Sequence, residues 1–200
     1  MTDNENLSIH IKSVHELIEN GYSKRTITRW QRQEKIIKLA PGQYIKKSVW
    51  DELFPVQKHL ARVIAYSRTL HNPVFTHYSA AVALSCALLS APHNVQVRGC
   101  GGAKRAGVVY RQDDSSVISS TITLRYGRDS LTVVDPITAL IGCARDAPIR
   151  EGLVIVESAF QRLGARLSYS RLHKALSEVK RVRGARKARY ICLLYTSDAA

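Results

Sequence analysis

Arg25, Thr28, Arg29 and Arg32 stand at i, i+3, i+4 and i+7. On a helix that spacing gathers them into one stripe of guanidinium and hydroxyl groups. Guanidinium forks match phosphate oxygens and the major-groove edge of guanine, so the stripe suits docking against a duplex rather than bond-making. Lys24 beside it, and Lys38, Lys46 and Lys47 further along, are of the type and placement to meet phosphates. The reactive combinations elsewhere are weaker. His77 and Ser79 are two residues apart, which on a helix turns them to different faces, and no acid is placed to orient the imidazole. They read as helix-start and packing residues. The run Gly99-Cys100-Gly101-Gly102-Ala103-Lys104-Arg105 lacks the Gly-Lys-Ser/Thr ending of a phosphate loop and reads as a basic hairpin tip. The seven histidines form no i, i+4 pair, and Cys86, Cys100, Cys143 and Cys192 form no C-x-x-C. Asp113-Asp114 reads as a turn pair and Asp135-Pro136 as a helix start. No catalytic set, metal site or cofactor is expected.

The elements that must position the stripe are legible around it. Ser13-Val14-His15-Glu16 is a capping box, predicting a short helix to Asn20 that Gly21 ends. Ser23 is the next N-cap, with a helix from Lys24 to about Gln33 whose other side carries Ile27, Trp30 and Gln31. Two β-prone runs, 35–40 and 43–46, flank Pro41-Gly42 and predict a hairpin. A hairpin directly after a basic second helix is the order of a winged helix-turn-helix, with the 24–33 helix as the reading element.

The segment GYSKRTITRWQRQEKIIKLAPGQYI resembles the winged-helix domain of the AbiEi family, the antitoxin half of type IV toxin–antitoxin systems. Further pieces resembling that family follow in order: Thr76-His77-Tyr78-Ser79-Ala80-Ala81, Val134-Asp135-Pro136-Ile137-Thr138-Ala139-Leu140, Glu151 to Phe160, and Arg183-Gly184-Ala185-Arg186. The resemblance spans roughly residues 10–190. It implies a bacterial, cytoplasmic transcriptional regulator that binds double-stranded DNA, represses its own operon and counteracts a toxin, typically a nucleotidyltransferase. Some relatives continue into a nuclease-like domain with an acidic metal-binding core. Residues 162–200 hold no paired carboxylates, so catalysis does not carry over.

Downstream of the hairpin, Val56, Leu60, Val63, Ile64, Ser67 and Leu70 trace a helical stripe, stopped at Asn72-Pro73. Val74-Phe75 is a short strand, and 77–89 is apolar nearly all round, predicting a buried helix in which a charge at Leu84 is costly. Period-2 alternation predicts strands at 94–98, 107–111, 116–118, 121–125 and 130–134. Helices follow at about 136–146, 149–163 and 168–180, the second with Leu153, Val156, Phe160 and Leu163 on its apolar stripe. The expected fold is α+β: a winged helix-turn-helix over 1–52, then, over 53–190, a helical domain with a small, mainly antiparallel sheet. Leu193 to Ala200 breaks the basic helical pattern and resembles a translated adapter read-through, so it is set apart as a non-native tail. On that reading the natural protein is longer.

Composition bounds the rest. The 200 residues are 45% hydrophobic and 23% charged, an ordinary globular balance. No apolar run approaches the roughly 20 residues of a membrane helix, and the N-terminus is polar and acidic, unlike a secretory signal. Widely spaced cysteines fit a reduced cytoplasmic setting. The net charge is +14, and its excess is concentrated. Residues 21–48 carry Lys24, Arg25, Arg29, Arg32, Lys35, Lys38, Lys46 and Lys47 against Glu34, and 162–190 carry ten Lys and Arg against Glu178. Such clustering favours a polyanionic partner. Two other readings fit the residues: the N-terminal portion of a DNA endonuclease whose catalytic domain is truncated, and a basic protein–protein adaptor. Operator, oligomeric state and partner identity are not written in the sequence.

Overall fold

Residues 6–99, 104–112, 120–164, 167–179 and 184–197 are described by a computed structural model. The local signals at the N-terminus appear as read. Ser13 Oγ accepts from Glu16 N–H (3.1 Å) and the Glu16 carboxylate accepts from Ser13 N–H (2.6 Å), opening helix α2 (Val14–Glu19), which follows a first turn α1 (Leu7–His10) and a two-residue strand β1 (Lys12–Ser13). Gly21, at φ +86°, reverses the chain, and Ser23 caps α3 (Lys24–Arg32). Strands β2 (Ile36–Ala40) and β3 (Gln43–Lys46) form the hairpin, with Gly42 at φ +70° in its turn. β1 adds to the far side of β3, giving a three-stranded antiparallel sheet in the order β1-β3-β2.

After α4 (Lys47–Glu52) comes α5 (Pro55–Ser67), which buries Leu60, Val63 and Ile64 along the expected stripe. The second sheet comprises β4 (Val74–Phe75), β5 (Val95–Arg98), β6 (Lys104–Arg105), β7 (Val108–Arg111), β8 (Thr121–Tyr126) and β9 (Asp129–Val134), in the order β6-β7-β5-β4-β9-β8. Three of its five pairings are antiparallel, as expected of most of the sheet, but the sheet is mixed: β4 runs parallel to β9 and β5 parallel to β7. Alternation reveals that a strand exists; it does not reveal which strand lies beside it or in which direction. The expected strand at 116–118 and the Asp113-Asp114 pair lie outside the described residues, as do Cys100 to Ala103; Lys104 and Arg105 form an edge strand on β7.

Two helices differ from their reading. The buried helix α6 covers His77–Ala83 and stops well short of residue 89. Ser85 takes φ +62°, and the chain beyond is held by side chains of another helix: Ser158 Oγ accepts from Ala87 N–H (2.8 Å) and Glu151 accepts from Ser90 N–H (3.0 Å). Apolarity alone therefore overran the helix end. Leu84 is buried all the same. Helices α7 (Pro136–Asp146), α8 (Ile149–Leu163) and α9 (Tyr169–Glu178) fall where expected. In α8, however, the fully buried face is Gly152, Ile155, Val156 and Ala159, with Leu153, Phe160 and Leu163 on its flank. α8 packs against both α7 and the final helix α10 (Ala185–Ser197), and a Cβ on Gly152 would lie 2.7 Å from Ile191. α10 does not break at Leu193; it runs on to Ser197, and the Leu-Leu-Tyr-Thr stretch contains no Gly or Pro to stop it.

One apolar cluster runs through the body and reaches into the N-terminal elements: Leu7, Ile11, Leu39, Ala40 and Ile45 belong to the same core as α5, the mixed sheet, α7, α8 and α10. A smaller cluster of Ile27, Ile36 and Tyr44 holds α3 on its hairpin. The notional boundary at residues 52 and 53 is thus crossed by continuous packing. No helix among the described residues is long and apolar enough to cross a membrane.

His59 in α5 is fully inaccessible. Its Nδ1 lies 2.8 Å from Pro92 O and its Nε2 3.0 Å from Ser79 Oγ, which also accepts from Gln96 N–H (2.8 Å). Burial pushes the imidazole pKa down to about 4, against the partial compensation of the Pro92 carbonyl. Between pH 6.5 and 4 the unfolded histidine takes up a proton that the native ring refuses, so native stability falls as pH drops through that window. The loss should total on the order of 3 kcal/mol in urea unfolding titrations. It should be absent in a folded His59→Gln variant; an equal pH slope in both proteins would clear His59 of the effect.

Candidate nucleic-acid interface

Helix α3 presents the predicted stripe intact. Ser23 Oγ accepts from Thr26 N–H (3.1 Å) and lies 3.0 Å from Thr26 Oγ1, fixing the first turn. Ile27 is buried and Trp30 half-buried, pinned by Val14, Leu17, Ile36 and Tyr44; Tyr22 closes edge-on to the Trp30 ring at 4.7 Å. With that side of the helix anchored, helical geometry turns Arg25, Thr28, Arg29 and Arg32 outward, and all four are exposed. With Ser23 and Thr26 they border one open groove of about 520 Å³. Thr28 Oγ1 donates to Lys24 O (3.0 Å). Among the described residues no carboxylate lies within ion-pair distance of Lys24, Arg25, Arg29 or Arg32.

The lysines divide. Lys24, Lys38 and Lys46 are exposed and have no described ion-pair partner. Lys47 is half-buried at the start of α4, and its Nζ donates to both Asp51 oxygens (2.9 and 2.8 Å), which raises its pKa above the ordinary lysine value. It is the one residue of the predicted set whose charge is already answered. The Pro41-Gly42 turn does not project freely: Gly42 O accepts from Val14 N–H (2.8 Å), tying the hairpin tip to the start of α2.

What sets the direction of α3 relative to the body escaped the sequence reading. Arg68 at the end of α5 donates to both oxygens of Asp129 (2.8 and 2.7 Å), to Ile11 O (2.9 Å) and to Ser8 O (3.0 Å). Ser8 Oγ also donates to Asp129. Next to it, Arg128 pairs with Glu16 (2.5 Å) and donates to Ile11 O (3.1 Å). Partial burial alone would raise the Glu16 carboxyl, but hydrogen bonds from Arg128 and Ser13 outweigh it and hold its pKa at about 2. These contacts join residues 57 to 121 positions apart, and no spacing rule could have found them.

The histidine and serine weighed as chemistry do not meet each other. Ser79 bonds His59 and not His77, and all three are buried. His77 sits at φ +47°, with Nδ1 3.0 Å from Thr76 Oγ1 and Nε2 3.0 Å from an Arg145 guanidinium nitrogen. Its ring fills the space a Cβ on Gly142 would need, at 2.8 Å. Among the described residues there is no cluster of His, Cys, Asp or Glu able to hold a metal ion.

Since Ser23 alone caps α3 with a side chain, Ser23→Ala should cost about 1 kcal/mol, read as a shift in the urea midpoint at constant slope. An unchanged midpoint would mean that the anchoring of Ile27 and Trp30 suffices to start the helix. No protein-family model matches the chain, and no curated protein is similar to it at a significant level.

Proposed function

We propose that this protein binds double-stranded DNA through α3, which acts as the recognition helix of a short-winged helix-turn-helix. The observation that carries the reading is the single exposed face of Arg25, Thr28, Arg29 and Arg32, free of described carboxylate partners. The order α1-β1-α2-α3-β2-β3, with β1 closing the hairpin into a three-stranded sheet, supports it. Such a face enters a major groove with its arginines on base edges, while Lys24, Lys38 and Lys46 meet flanking phosphates. Lys47 contributes only if a phosphate displaces Asp51. The hairpin, tied back at Gly42, then acts as a brace for α3 and reaches the backbone through its lysines rather than through its tip.

On this reading the protein is a cytoplasmic, non-enzymatic transcriptional regulator of the AbiEi antitoxin type, repressing its own operon and countering a nucleotidyltransferase toxin. The ordered sequence pieces that resemble that family support this finer assignment. Coexpression with the neighbouring gene tests it: restored growth of cells poisoned by that gene's product is the expected result.

For DNA itself, the test is a fluorescence-anisotropy titration with duplex from upstream of the gene. Arg29→Ala should weaken binding by roughly 1–3 kcal/mol if the guanidinium reads a base. Affinity should also fall steeply between low and moderate salt, because each phosphate contact releases counterions. Unchanged affinity in the variant would remove Arg29 from the interface, and a flat salt response would favour the protein–protein adaptor.

A further inference from the structure

Strand β8 ends the mixed sheet, and among the described residues nothing pairs with its outer edge. Its pairing with β9 is continuous from Thr121↔Val134 to Tyr126↔Asp129, without a bulge. The strand, Thr-Ile-Thr-Leu-Arg-Tyr, contains no Pro and a single charge, Arg125. Natural edge strands are usually protected by bulges, prolines or inward charges, and β8 has none of these. We infer that this edge pairs antiparallel with β8 of a second copy of the chain, about a two-fold axis at Thr123.

Backbone geometry fixes which groups are available. The two-residue turn at Gly127-Arg128, with Gly127 at φ +56°, makes Tyr126 and Asp129 the first hydrogen-bonded pair. Alternation then directs the main-chain groups of Ile122, Leu124 and Tyr126 toward β9. Ser120 O, accepting from Asp135 N–H at 3.0 Å, keeps the same parity. The N–H and C=O groups of Thr121, Thr123 and Arg125 therefore point to the open edge. A two-fold axis at Thr123, normal to the sheet, sets Thr123 against its own copy and Thr121 against Arg125, so all three outward residues exchange hydrogen bonds, about six across the seam.

The side chains match this register. Thr121, Thr123 and Arg125 are exposed on one face, whereas Ile122 and Leu124 are half-buried against the core on the other. The axis places Ile122 beside the second copy's Leu124, covering apolar surface that the single chain leaves half open, and no like charges face each other. That self-matching singles out a second copy over an unrelated strand. The pairing concerns oligomeric state alone and stands apart from the DNA reading.

The experiment measures solution mass by light scattering over a range of concentrations. A mass near twice 22.3 kDa is expected for the wild-type chain, and the monomer mass for Thr123→Pro. Proline removes an outward N–H and spares the β9 ladder, so circular dichroism and Tm should hold. Independently, Thr123→Cys should form a disulfide-linked dimer under mild oxidation, since hydrogen-bonded antiparallel partners have Cα atoms about 5.5 Å apart, within disulfide range. Thr121→Cys, four positions from its counterpart, should not; both variants are made with Cys100→Ser, and that parent, with Cys86, Cys143 and Cys192 buried, is the background. A monomeric wild-type mass throughout, a folded Thr123→Pro that still dimerises, or equal crosslinking at both positions would each overturn the inference. Should Thr123→Pro fail to fold, the two cysteine variants decide the matter alone.

Discussion

The bidentate contact between Arg68 and Asp129 is the joint on which the arrangement turns. Its side chains are 14% and 10% exposed, and it gathers three segments that are remote in sequence: the α1–β1 strap through Ser8 and Ile11, the end of α5, and the β8–β9 turn. A desolvated ion pair contributes little net stability, because removing both charges from water offsets most of their attraction. Its value is directional. A guanidinium with its donors committed to one carboxylate and two carbonyls tolerates one geometry, and losing either partner leaves a buried charge unanswered. The neighbouring Arg128–Glu16 pair extends that geometry to α2, and α2 carries α3.

The same economy explains why the basic face is left uncompensated. In the body, several arginines have internal partners: Arg171 on Asp135, Arg189 on Leu176 O, Arg145 on His77 and Asp146. Lys187 likewise donates to Ala147 O. On α3 the arginines have no such employment. Mutual repulsion along a helix is tolerable in water, where exposed charges are screened within about 10 Å. It becomes attraction once a polyanion lies alongside. In the second basic stretch Arg171, Lys187 and Arg189 thus serve internal contacts, whereas the arginines of α3 form a surface.

How far the sequence could be read depended on the range of each interaction. The capping box at Ser13, the Gly21 reversal, the Ser23 cap, the hairpin about Gly42 and the α3 stripe all involve residues within a turn or two of each other, and all were legible. Strand existence was legible by the same logic, whereas the parallel partners of β4 and β5 were not. The end of α6 was misread because Ser158 and Glu151, which capture the chain after it, come from α8. The α8 face was misjudged because packing against α10 favours the small Gly152 and Ala159 over the larger residues of the apparent stripe.

By itself the sequence determined the local elements, the placement of cationic side chains on one side of α3, and the excess of positive charge. Each follows from covalent spacing and helical or extended periodicity, which act over a few residues. Tertiary structure alone decided the mixed order of the sheet, the burial of His59 on Ser79, the engagement of Lys47, and the clamp at Arg68 that joins α3's support to the body. Those outcomes depend on groups brought together across long stretches of chain, where proximity is created by collapse of the common core and leaves no periodic trace in the order of residues.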